Sequence, residues 1–322
     1  MPGVVGSRPA PPLRADIPKV LDERLVRLYD GVRDALLELP SCFSFSHTIS
    51  GIKTTGLFDL NSQVGAAIEN QVEDQVVTTL NATRTVWDGS NEWEDCSFVR
   101  APQAFPNVRL VREAADAKAE TVLGIELKGW YVLSKEGVPS LRYHVGQAAC
   151  AAQDLVCVIP WYLDNAICGE ARVMTPWVEQ ARYAAEWRDY WWQHLRKGTD
   201  TREERAIRQP DGAAPYPSKA ELAIARPVKD GGGNFGRLPR CKPLMDEFTA
   251  ATLEQEILGI PARDWVDLPL THADGADPKT VAAALRSRLD TAKKLLEERE
   301  AAEMFGLLKL LMGRSGLSGL GG

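Results

Sequence analysis

The run Thr121-Val122-Leu123-Gly124-Ile125-Glu126-Leu127-Lys128-Gly129-Trp130 is apolar except for one carboxylate and one ammonium placed two residues apart. Its length and apolar character predict a buried strand. Side chains alternate along a strand, so Glu126 and Lys128 share one face while Leu123, Ile125 and Leu127 point to the other and pack a core. A carboxylate beside an ammonium on a half-buried strand suits two chemical tasks: ligation of a divalent cation, and the positioning or deprotonation of a water near it. On an exposed strand the same tripeptide would be a surface ion pair of little energetic consequence. The weight of the motif therefore rests on the elements around it.

Two such elements are readable. Phe105-Pro106-Asn107-Val108-Arg109-Leu110-Val111 predicts a second strand, and the polar stretch 114–120 predicts the loop that returns the chain to the Glu126 strand, which together make a hairpin. Upstream, Val64, Ile68, Val72, Val76 and Leu80 repeat at i, i+4 and predict an amphipathic helix from about Asn61 to Leu80, capped by Asn61 or Ser62. Glu69 borders its apolar stripe. Glu73 lies one turn later and is the alternative carboxylate; on the bland reading both are solvated residues of the helix flank.

The order of these parts resembles the PD-(D/E)xK nuclease superfamily, to which many type II restriction endonucleases belong. Pro106-Asn107 stands at the Pro-Asp position, and Glu126-Leu127-Lys128 matches the acidic-x-Lys element. The resemblance implies a restriction-endonuclease-like α/β fold, a central mixed sheet flanked by helices with a helical C-terminal extension. It implies magnesium held by Glu126 and the residue at 107, with Lys128 orienting a water, and hydrolysis of phosphodiesters in double-stranded DNA to leave 5′-phosphates. Many members carry a Glu on the helix before the hairpin, and Glu69 takes that place. One position departs from the family. Asn107 stands where an Asp is expected, and an amide oxygen brings no negative charge to a hard cation. Three explanations are open: a natural pseudo-enzyme, a nuclease using another carboxylate, or an Asp replaced to disable cleavage. Asp116 is a poor substitute because it falls in the expected loop. The resemblance thus implies an endonuclease weakened or silenced at 107, with a catalytically inactive DNA-binding protein or a protein-interaction module as alternatives.

Composition constrains less. The 322 residues, 44% hydrophobic, can bury a sizeable core, and the net charge of −6 argues against a strongly basic, non-specific binder of nucleic acid. A confined cleft needs local cations, for which Arg237, Arg240 and Lys242 are the candidates. Gly231-Gly232-Gly233-Asn234-Phe235-Gly236-Arg237 is either a flexible turn or a backbone contact to a phosphate; it lacks the Gly-Lys-Ser/Thr ending of a nucleotide loop. The six cysteines contain no C-x-x-C pair, which disfavours zinc, and Cys150, Cys157 and Cys168 read as buried free thiols. The four histidines show no paired metal spacing, and no Gly-x-Ser-x-Gly accompanies them. With no membrane-length apolar run and no signal core, a soluble cytoplasmic protein is expected.

Further along, Asp154–Trp161 predicts a strand covered on both faces and stopped by Pro160. Residues from Pro176 to about Arg196 predict a helix whose Trp187, Tyr190, Trp191 and Trp192 pack rather than stack on bases. A short strand is expected near Leu222–Ala225, a helix over Leu244–Leu258 ended by Ile260-Pro261, and a long helix from Pro278 to about Met312 whose apolar face packs internally or in a homodimer, followed by a mobile Gly-rich end. The expected organisation is an N-terminal helical segment (1–45), a nuclease-like core (46–200), an insertion with loops that contact DNA (201–275), and a C-terminal helix and tail (276–322).

Overall fold

The computed structural model describes residues 8–44, 57–113, 119–134, 137–164, 170–218, 224–230, 233–266 and 287. The expected loop with Asp116, Cys168, the first half of the Leu222–Ala225 strand and the Pro278–Met312 helix lie outside these residues, apart from the isolated position 287. The chain begins with α1 (Ile17–Val20), α2 (Glu23–Leu37) and α3 (Leu39–Cys42), followed by the long α4 (Leu57–Ala82) and the one-turn α5 (Arg84–Trp87). Three antiparallel strands follow, β1 (Cys96–Arg100), β2 (Val108–Arg112) and β3 (Glu120–Tyr131). β4 (Leu155–Leu163) lies parallel to β3, and its far edge carries β5 (Ala171–Val173) and β6 (Trp177–Gln180), both antiparallel. The molecule is therefore α/β, with a mixed sheet flanked by helices. Among the described residues no helix is long and apolar enough to cross a membrane.

Helix α4 starts before Asn61, so neither Asn61 nor Ser62 caps it; the apolar spacing of the sequence continues one turn upstream through Leu57. Ile68, Val72, Val76 and Leu80 are buried in one cluster with Leu123, Ile125 and Leu127 of β3 and with Leu28, Val32 and Leu36 of α2. β4 is buried almost throughout, but it runs through Pro160 to Leu163. The proline is tolerated because it lies opposite the break between β5 and β6, where its carbonyl accepts the Met174 N–H at 2.8 Å.

Two expected helices are shorter than their periodicity suggests. Residues Trp177–Gln180 are strand, because they satisfy the edge of β4 from Leu155 to Val158, and α6 begins only at Ala181 and ends at Tyr190 in the π-helical turn Trp191–Leu195. Non-local pairing has overridden helical spacing here. After the short β7 (Ile207–Arg208) and β8 (Arg226–Pro227), α7 covers only Asp246–Glu254, and the remainder turns back as the hairpin β9 (Glu256–Ile257) and β10 (Ile260–Pro261). The tryptophans pack: Trp187 Nε1 donates to the Cys241 carbonyl at 3.0 Å, and Trp192 meets Phe235 edge to face in a second small cluster. The described cysteines are free, and Cys96, Cys150, Cys157 and Cys241 are buried.

Candidate functional site

The site forms where the β2–β3 pairing stops and β3 continues. The ladder ends at Val108↔Ile125, whereas β3 runs on beside β4 to Tyr131↔Trp161. From Leu127 onward one edge of β3 has lost its strand partner, and its buried backbone groups need others. The local sequence supplies them. Pro106, joined to Phe105 by a cis peptide bond, packs on Gly124, where a Cβ would come within 2.1 Å of the proline ring. Glycine at 124 is what lets the 105–107 turn settle on the strand.

That turn presents Asn107 to β3. Its Oδ1 accepts the Leu127 N–H at 2.7 Å and its Nδ2 donates to the Leu127 carbonyl at 2.8 Å, so the side-chain amide replaces the missing strand partner. Two residues on, the Gly129 N–H donates to Glu73 Oε1 at 3.1 Å, and the other oxygen of Glu73 pairs with Arg100 at 2.7 Å. Glu69 lies one turn earlier on α4 and pairs with Lys128 at 2.6 Å. The Asn107 N–H donates to Glu126 Oε2 at 3.1 Å. Lys128 thus pairs with the helix carboxylate rather than with Glu126. Glu69, Glu73, Asn107, Glu126 and Lys128 nevertheless come together from α4, the 105–107 turn and β3. Arg100 of β1 completes the charge set, although an Arg ending a short strand carries no local sign in the sequence of a buried carboxylate partner.

The electrostatics single out Glu126. Burial pushes its carboxyl up to about 7; the Asn107 N–H opposes that shift, Glu73 adds to it, and Lys128 and Arg100 oppose it. Glu69 is also raised, by burial first, against the opposing pull of Lys128. A folded-state value above the ordinary glutamate range means that the folded protein holds this proton more tightly than the unfolded chain. Stability from Glu126 is then complete below about 4.5 and declines as pH rises through about 7. Side-chain carbon NMR is expected to show the Glu126 midpoint near neutrality, and Lys128→Met is expected to raise it further. A midpoint in the ordinary glutamate range would refute this description of the site.

A divalent cation would have to draw its oxygen donors from this cluster. Carboxylate oxygens are the right chemistry for magnesium. Yet Glu69 is held by Lys128, Glu73 by Arg100 and the Gly129 N–H, and both polar ends of the Asn107 amide by Leu127. Among the described residues no three His, Cys, Asp or Glu side chains are grouped to hold a metal ion. As arranged, the residues do not fit magnesium.

Of the other expected site residues, Arg237 and Arg240 line a pocket with Arg142, which the sequence reading did not single out, while Lys242 pairs with Asp246 at 3.1 Å. The backbone donors of the Gly-rich loop at Asn234 and Phe235 serve the Asp230 carboxylate, at 3.0 and 3.3 Å. No protein-family model, no curated protein and no solved structure matches this chain.

Proposed function

We propose that this chain is a PD-(D/E)xK-like, type II restriction-endonuclease-like protein that binds double-stranded DNA and whose phosphodiester-hydrolysing site is silenced at position 107. The observation that carries this reading is that the Glu69–Lys128 ion pair and the Asn107–Glu126 contact are built from the same strand, with the helix, the turn and the strand in the order the resemblance requires. On this reading the sheet is the restriction-endonuclease-like core, the natural partner is DNA in the cytoplasm, and a homodimer would supply two sites for two strands. Magnesium is the cofactor that the resemblance calls for. Because the donors do not fit it as arranged, no step is derived through it.

The residues themselves have defined capacities. Glu126, with its carboxyl near 7, exchanges a proton at neutral pH and can accept one from a water at the β3 edge. Lys128 would place a positive charge beside a phosphoryl oxygen once Glu69 releases it. Asn107 holds the strand and contributes no charge. The expected outcome is a protein that binds duplex DNA and leaves it intact in magnesium or manganese. Plasmid nicking and a duplex-binding assay on the native chain and on Asn107→Asp, with Lys128→Ala in the Asn107→Asp background, test it. Nicking that appears in Asn107→Asp and disappears when Lys128→Ala is added supports the reading. Equal nicking by the native chain overturns the silencing. Absence of DNA binding by the native chain overturns the function and favours an interaction module in which these charges only pair.

A further inference from the structure

Arg142 and Arg237 are directly opposite each other in an isolated antiparallel bridge, flanked by the Tyr143 N–H to Gly236 carbonyl bond at 2.7 Å and the Leu238 N–H to Leu141 carbonyl bond at 3.2 Å. Those flanking bonds make Arg142 and Arg237 a non-hydrogen-bonded pair, the closer of the two antiparallel pairings, with both side chains on one face. Like charges placed this way repel. Among the described residues neither is paired with a carboxylate, and neither is Arg240, which joins them in lining the pocket with Val138, Pro139 and Ser140. The Arg240 guanidinium is steadied instead by the neutral Asn234 side chain. The Nε of Arg237 is buried and has no hydrogen-bond partner. A repelling pair and a third cation lack the same thing, an anion with several oxygens.

The platform beneath is rigid. Gly236 has φ +85°, and a Cβ there would lie 2.1 Å from the His144 ring, so the strand segments approach as closely as only glycine allows. From below, the fully buried Arg188 donates to the carbonyls of Tyr143 and Val145 at 2.7 and 2.8 Å and fixes the segment that carries Arg142. The backbone that carries Arg142 and Arg237 is thus fixed before any ligand arrives, so that only their side chains need be ordered on binding.

We infer that Arg142, Arg237 and Arg240 form a binding site for a phosphate group of the DNA backbone. The inference rests on the DNA-binding reading above and names where the chain grips the duplex. Phosphate contacts of this kind set register and orientation and carry no sequence information. The test is the anisotropy of a fluorescein-labelled duplex over a salt series, with the native full chain, Arg142→Gln, the Arg142→Gln/Arg240→Gln double variant, and Arg226→Gln as an exposed arginine outside the pocket. Arg142 and Arg240 are exposed, and a thermal melt checks that each variant folds. The double variant is expected to bind about tenfold or more weakly, with the slope of log affinity against log salt reduced by about 1 to 2, and Arg142→Gln is expected to show part of that loss. Arg226→Gln is expected to behave as native. Native-like affinity and slope in the double variant overturn the pocket while leaving the DNA reading intact, and so does an equal loss in Arg226→Gln. No binding by the native chain removes both.

Discussion

Asn107→Asp is expected to destabilise the metal-free protein by about 2–4 kcal/mol at neutral pH. The native amide donates to the Leu127 carbonyl at 2.8 Å and accepts the Leu127 N–H at 2.7 Å. A carboxylate keeps the second bond and turns the first into a contact between two oxygens. It also adds a negative charge next to Glu126, whose carboxyl is already pushed up to about 7 by burial and by Glu73. Two conditions should rescue the variant. Protonation restores a donor toward the Leu127 carbonyl, so the deficit shrinks as pH falls. A divalent cation screens the new carboxylate pair, and saturation at about 100 times its dissociation constant returns about 2.7 kcal/mol. Urea melts of native and variant protein, with and without magnesium and at neutral and acid pH, check this. A variant as stable as the native chain without metal would show that the amide is not the strand partner described here. The same variant is the one whose nicking activity tests the proposed function, so one protein reports on both the structural and the chemical role of position 107.

Asp154→Ala is expected to cost about 3–5 kcal/mol and to lower Tm by about 10 °C. Asp154 is only 1% exposed. Its Oδ1 accepts the Gly124 N–H at 2.8 Å and the Tyr216 hydroxyl at 2.9 Å, and its Oδ2 accepts the Ala151 N–H at 2.7 Å. Removing it strands two buried backbone donors and leaves the half-buried Tyr216 hydroxyl with Gln153 alone, which donates to it at 3.3 Å. Burial pushes its carboxyl up to about 6 even against these three donors. The Gly124 bond also places the strand on which Pro106 rests, so the loss should reach the site: the Glu126 midpoint is expected to move toward the ordinary glutamate value as the strand loosens. Chemical denaturation and the NMR titration of Glu126 in the variant measure the two effects. A cost below about 1 kcal/mol would mean that water replaces the carboxylate without penalty.

Both residues illustrate what a linear reading can and cannot reach. The Glu126–Lys128 strand and the helix bearing Glu69 were readable because alternation and i, i+4 spacing are local consequences of backbone geometry. Their burial against one another followed from the apolar faces. What escaped the sequence depends on which strand edge is left open. Nothing near Asn107 says that β2 stops at Val108 while β3 continues, so its amide looked like a metal ligand rather than a strand partner. Glu73 was weighed only as a substitute for Glu69, because the Gly129 N–H it caps lies far away in the chain. Trp177–Gln180 fits helical spacing and is strand, since the edge of β4 recruits it. Arg142 was invisible because its opposite number, Arg237, belongs to another segment altogether.

The open stretch of β3 has a bearing on association as well. An unpaired strand end bearing a ready N–H, carbonyl and second N–H is a template on which another chain can add a strand, the usual route to edge-to-edge aggregation. Here the Asn107 amide fills the first two positions and the Glu73 carboxylate the third. An incoming backbone would have to displace a fitted amide and then meet a carboxylate where it offers its own carbonyl oxygen. The residues that shape the site therefore also act as a stopper, keeping a long apolar strand from growing into a sheet shared between molecules.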